Sequence, residues 1–145
     1  MKYQELKEKQ RKEINELPIY FAFGQKQLDE KAEELGFKNT DEMLRNVAGI
    51  GAGGFTLIKD YDKVLNTFKR HNEETRKLID EDDEFVLDAF EYELGNHEYI
   101  ITYDITDSLS ALNISLKMYN ESVRLQNLMK QAKEKYLKAM ESLGW

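Results

Sequence analysis

Cysteine is absent from all 145 residues, and that absence alone excludes disulfide frameworks, thiolate nucleophiles and cysteine-based zinc sites. Packing must hold whatever fold the chain adopts. Proline occurs once, at Pro18, and no Pro- or Ser-rich linker, internal repeat or low-complexity tract divides the sequence, so one domain over residues 1–145 is expected. Long apolar runs are missing as well. The longest charge-free stretch, Asn46 to Ile58, is diluted by four glycines and falls short of the roughly 20 apolar residues that span a bilayer. Lys2 to Lys12 alternates charges where a secretory signal would carry roughly 7 to 15 apolar residues. That segment reads as helix, and a cytoplasmic location with no membrane contact is the expectation.

What the chain does contain is enough for a core. A chain of this length can bury roughly 70% of its unfolded surface, and 16 aromatics supply packing area that disordered sequences lack. The net charge of −7 is unevenly placed. Residues 1–70 hold 12 acidic and 13 basic side chains, residues 71–107 hold 13 and 2, and residues 108–145 hold 3 and 6. The acidic middle repels phosphate and attracts cationic surfaces, so it points away from nucleic acid and toward a protein partner with a basic surface.

Periodicity and punctuation predict a predominantly helical α+β fold with five to six helices and a small two- or three-stranded sheet. Tyr3, Leu6, Ile14 and Leu17 mark a first helix over Lys2 to Glu16, ended by Pro18. Ile19 to Phe23 reads as extended. Gln25 to Leu35 is helical and stops at Gly36, and Asn39 with Glu42 makes a capping-box-like start to a helix through Asn46. Gly49 to Gly54 is expected to be a loop or tight turn, followed by a strand over Phe55 to Ile58. Asp60 is a candidate cap for a long helix carrying Tyr61, Val64, Leu65, Phe68, Thr75, Leu78 and Ile79 on one side. Another helix follows from Asp82 to about Gly95. Tyr99 to Tyr103 has strand composition and is expected to pair with Phe55 to Ile58. A short helix through Asn113 precedes a long amphipathic C-terminal helix whose stripe, from Met118 to Leu143, is broken only at Ser122. Packing the N- and C-terminal helices together would bury both apolar stripes. The same C-terminal stripe is long enough for an intermolecular coiled coil, which leaves monomer and homodimer both open.

Few motifs carry chemistry. Gly49 to Gly54 matches G-x-G-x-x-G, but a dinucleotide site needs a strand before it and a helix after it, and here the order is reversed. Glu93 and His97 stand four apart, which on a helix places a carboxylate and an imidazole on one face. Asn96, Glu98, Asp104 and Asp107 complete a candidate polar cluster that would serve a small metal-dependent enzyme or a metal-stabilised fold. Against this, His97 is equally suited to the C-terminus of its helix, and the H-E-x-x-H spacing of zincins is absent. His71, between Phe68 and Thr75, reads as a satisfied residue at the core border. No catalytic residue is nominated, no cofactor is expected, and the metal question stays open at this point. The residues nominated for partner binding are Glu81, Asp82, Asp83, Glu84, Asp88 and Glu91.

Two segments carry a resemblance. Leu17-Pro-Ile-Tyr-Phe-Ala-Phe23 with the helix start after it, and Ala89-Phe-Glu-Tyr-Glu-Leu-Gly-Asn-His-Glu-Tyr99 with Thr102 and Asp104 to Asp107, are similar to short uncharacterised proteins of phages and mobile elements of Gram-positive bacteria. This chain has Gly24 where such proteins tend to place serine before the second helix. The resemblance implies the cytoplasm of a bacterial host and a non-enzymatic protein that engages a basic host or defence protein, including the anti-CRISPR-like mode of inhibition.

Overall fold

The computed structural model describes residues 2–145. In chain order the elements are α1 (Tyr3–Asn15), β1 (Tyr20–Phe21), α2 (Gln25–Glu34), α3 (Thr40–Leu44), β2 (Val47–Gly51), β3 (Gly54–Leu57) and a 3-10 turn (Ile58–Asp60). Then follow α4 (Tyr61–Glu81), α5 (Asp83–Asn96), α6 (Tyr99–Thr102), α7 (Thr106–Ala111), α8 (Leu116–Asn120) and α9 (Val123–Ser142). The fold is α+β and mostly helical, with one three-stranded antiparallel sheet. Among the described residues there are nine α-helices, more than the expected five to six: α6 occupies a stretch read as strand, and the expected C-terminal helix is divided into α8 and α9. No helix among them is long and apolar enough to cross a membrane.

The chain forms two compact units, one of residues 10–72 and one of residues 1–9 with 73–145. In the unit of residues 10–72, β3 is the middle strand of the order β1-β3-β2. Tyr20 pairs with Phe55 on one side, and Val47, Ala48 and Gly49 pair with Leu57, Thr56 and Phe55 on the other. Both edges of β3 are therefore taken, so the expected pairing with Tyr99 to Tyr103 has no edge to use. The glycine run is also more ordered than a loop. Gly51 and Gly54 pair across a two-residue turn in which Ala52 and Gly53 have φ of 51° and 78°, the positive values that a type I′ hairpin requires.

Gly54 is required for room. A Cβ there would lie 2.9 Å from Phe21 Cε1, 3.2 Å from Ile50 Cγ1 and 3.3 Å from the Gly51 carbonyl oxygen. We expect Gly54→Ala to lose about 1–3 kcal/mol of stability, the usual cost of overpacking, in urea unfolding followed by circular dichroism. An unchanged midpoint would show that Phe21 and the hairpin do not constrain each other.

Helix ends follow local rules. Asn39 caps α3 by accepting from the Glu42 N–H at 2.9 Å, while the Glu42 carboxylate accepts from the Lys38 N–H at 2.7 Å, one residue earlier than a capping box would have it. At the end of α2, Phe37 N–H reaches the Ala32 carbonyl at 2.9 Å and Gly36 N–H reaches that of Glu33 at 3.0 Å, a Schellman motif with glycine at φ 83°. Gly24 precedes α2 at φ 112° with no side-chain cap.

The unit of residues 1–9 and 73–145 is built on α5. Phe85, Val86, Ala89, Phe90 and Leu94 of this helix are buried, together with Tyr3, Leu6, Ile79, Leu109, Leu125, Leu128, Met129 and Tyr136. α9 lies along α5, as do α6 and α7, and Tyr3 of α1 meets the α5 residues Phe85 and Tyr92 edge-on. Tyr3 and Leu6 of α1 and Leu125, Leu128, Met129 and Tyr136 of α9 thus share one core with α5. Ser122, the apparent break in the C-terminal stripe, is the cap of α9, accepting from Leu125 N–H at 3.1 Å. Its capping turn ends α8 and begins α9, so one expected helix is two.

Candidate functional site

The expected Glu93–His97 face forms. α5 continues through Gly95, and His97 Nε2 stands 3.1 Å from Glu93 Oε2. The imidazole nitrogen makes no hydrogen bond in proper alignment, so the contact is electrostatic when the ring is protonated. Glu93 is only 1% exposed. A carboxylate so placed needs donors, because burying it without partners is very costly. Tyr3 Oη donates to Oε1 at 2.7 Å, Lys7 Nζ lies 3.5 Å from the same oxygen, and Asn96 Nδ2 donates to Oε2 at 3.3 Å. Burial pushes the Tyr3 hydroxyl well above the ordinary tyrosine range, and its bond to Glu93 pushes it further, so it stays a donor. Lys7 also sits over the rings of Tyr3 and Tyr92, at 5.2 and 4.9 Å.

Tyr3 and Lys7 are not among the residues nominated from sequence. They stand one helical turn apart and so face one way, but nothing local connects them to a carboxylate some 90 positions on. The other members of the nominated cluster lie apart from Glu93. Glu98, Asp104 and Asp107 are exposed, and Asp104 is held below the usual carboxylate range by hydrogen bonds from the Thr106 side chain and backbone. Among the described residues no three His, Asp or Glu side chains converge as a metal site would require. The Glu93 cluster joins α1 to α5, and its geometry is that of a buried electrostatic lock.

The six nominated partner-binding carboxylates divide by role. Asp82 caps α5 through Phe85 N–H at 3.0 Å, and Asp88 accepts from Tyr3 N–H at 2.8 Å, closing the start of α1. Arg124 Nε lies 2.6 Å from Asp83 and Lys135 Nζ 3.2 Å from Glu91, so α9 offsets two of the charges. Glu81 and Glu84 are exposed. Glu5, Asp82, Glu84 and Asp88 line one open cleft of about 460 Å³, with Lys2 and Lys135 beside them.

Residues 2–135 match the model of a family of unknown function, DUF7659. The chain belongs to that family. No curated protein and no solved structure matches it. In this DUF7659 member the matched span contains the entire Glu93 cluster and every residue lining the acidic cleft.

A second ionic cluster, absent from the sequence expectations, lies in the unit of residues 10–72. Glu13 Oε2 receives Arg70 Nη2 and stands 3.2 Å from Nε2 of buried His71, while Gln10 donates to the His71 carbonyl at 3.1 Å. His71 is thus a buried residue with a partner, as its place in the sequence suggests. The Arg70 guanidinium, followed by His71, lowers the Glu13 carboxyl from its ordinary 4.5 to about 2. A depressed folded value makes the unfolded chain bind the proton first, so Glu13 contributes fully above about pH 5 and ceases to contribute as pH falls toward 2. We expect Glu13→Gln to flatten this part of the stability–pH curve in urea titrations. An identical slope in wild type and variant would remove Glu13 from the acid response.

Proposed function

We propose that this protein is a non-enzymatic binding protein whose acidic unit engages a basic surface of a protein partner. One observation carries the reading. Residues 10–72 hold ten acidic and ten basic side chains, whereas residues 1–9 with 73–145 hold eighteen and eleven, so the whole net charge belongs to the unit built on α5. Within that unit four carboxylates border a single open cleft. Such a field speeds encounter with a cationic surface and selects against phosphate-bearing partners.

The setting we propose is a phage or mobile element in a bacterial cytoplasm, acting on a host or defence protein that normally holds nucleic acid. What supports it is the resemblance read in Leu17 to Phe23 and in Ala89 to Tyr99 with Thr102 and Asp104 to Asp107.

Binding to a lysine-rich protein probe, measured by calorimetry, tests the charge component. Raising salt from about 0.1 M to about 1 M shortens the screening length from about 10 to about 3 Å and is expected to weaken binding about tenfold or more. The paired substitution Glu81→Lys with Glu84→Lys is expected to do the same at low salt. Affinity indifferent to both would sink the reading.

A further inference from the structure

The turn that replaces the expected strand at Tyr99 presents two apolar side chains to solvent. Its helix α6 is bounded by Glu98 at φ 55° and Tyr103 at φ 52°, left-handed conformations that residues with a Cβ rarely adopt. Surrounding contacts hold it there. Buried Tyr99 stacks edge-on with Tyr103 and Tyr136, at ring distances of 5.4 and 6.1 Å. The Tyr136 hydroxyl accepts from Ile100 N–H at 3.3 Å, and Tyr103 N–H donates to the Tyr99 carbonyl at 2.8 Å. Past the turn, Thr106 N–H donates to Asp104 at 2.8 Å. The result is a braced turn from which Ile101 is 62% and Tyr103 64% exposed.

The contacts fix the backbone of the turn while an aliphatic and an aromatic side chain stand side by side in solvent. A fixed anchor loses little conformational freedom on binding, and buried tyrosines are prominent among residues that dominate interface energies. The flanking charge selects the partner. Glu98, Asp104 and Asp107 are exposed, and the ion pairs of the described residues leave these three without a cation. Three carboxylates repel nucleic acid and anionic lipid, and they complement lysine or arginine.

We propose that Ile101 and Tyr103 insert into an apolar recess of a protein partner whose rim carries lysine or arginine, with Glu98, Asp104 and Asp107 pairing to that rim. This rests on the reading of the protein as a binder of basic surfaces and adds to it the apolar anchor. Whereas the cleft at Glu84 and Asp88 offers charge, the turn offers charge around a hydrophobic contact.

The test is an amide-resolved NMR titration of the full chain with a helical leucine–lysine peptide, which presents an apolar face bordered by ammonium groups, beside a lysine-only peptide of equal charge. Shifts are expected at residues 98–107 with the leucine–lysine peptide, and Ile101→Ser with Tyr103→Ser should weaken that binding at least tenfold, Ile101→Ser alone leaving the unfolding midpoint unchanged. If the double substitution unfolds the protein, Ile101→Ser alone provides the same comparison. The anchor is overturned if the substituted chain binds like wild type, if the lysine-only peptide binds equally well, or if anionic vesicles displace the peptide by occupying the turn. Shifts confined to residues 82–88 would also overturn it while leaving the acidic-surface reading standing, and no binding by either peptide at millimolar concentration would overturn both.

Discussion

Phe90→Ala is expected to remove about 4 kcal/mol of stability, the largest effect of any single substitution considered for this chain. Phe90 is 0% exposed, in the middle of α5, and belongs to the cluster formed with Tyr3, Ile79, Leu109, Met129 and Tyr136. Truncation removes most of an aromatic side chain from close-packed surroundings that relax only in part, so the lost transfer free energy and the cavity act in the same direction. The measurement is urea unfolding by circular dichroism, in which the midpoint should fall while the slope with denaturant stays constant. A loss below about 1 kcal/mol would mean that α5 is not the centre of its unit.

Glu93→Ala should cost about 3 kcal/mol for a different reason. The substitution leaves the buried Tyr3 hydroxyl without its acceptor and separates Lys7, Asn96 and His97 from the carboxylate they surround. Removing one partner of a buried cluster strands the rest, which is worse than removing the cluster altogether. Tyr3→Phe, which deletes only the hydroxyl, should therefore cost about 1 kcal/mol in the wild type and restore about 1 kcal/mol in the Glu93→Ala background, where that hydroxyl has no acceptor. Additive losses in that double-mutant cycle would show that Tyr3 and Glu93 act independently and that no lock exists.

The two effects differ in how far they could be read from the chain. That Phe90 faces a core follows from its spacing with Val86, Ala89 and Leu94 on one helix. That Glu93 is buried does not, because a glutamate among Glu91, Glu98 and Asp88 looks like one more member of a solvated face. Its burial depends on Tyr3 and Lys7 arriving from the first helix. The acidic block shows the same division. Its existence is a matter of counting, but whether a carboxylate caps a helix, like Asp82, meets a cation from α9, like Asp83 and Glu91, or stays exposed, like Glu81 and Glu84, depends on what α9 and α1 bring beside it.

Tyr99 to Thr102 illustrates the limit most sharply. Aromatic and β-branched residues fit a pleated, half-buried surface, and that preference is realised only where a strand edge is free to receive them. Here β1 and β2 occupy both edges of β3, and the segment closes into a turn of helix instead. Two-residue β1 shows the converse: Ile19 to Phe23 reads as extended, and Tyr20 and Phe21 within it become a strand by pairing with Phe55 and Gly54.

By itself, the order of residues determined what depends on near neighbours. Asn39 and Asp82 cap because a short side chain reaches an amide three residues on, Gly36 stops a helix because only its backbone enters the left-handed region at little cost, and Glu93 and His97 meet because a helix repeats every 3.6 residues. Tertiary structure alone decided which partners come from afar: the donors around Glu93, the strands flanking β3 and the cations facing the acidic block. Local rules act over a few bonds, whereas burial and pairing depend on which distant surfaces compete for the same face, and in the unit of residues 1–9 and 73–145 that face is α5.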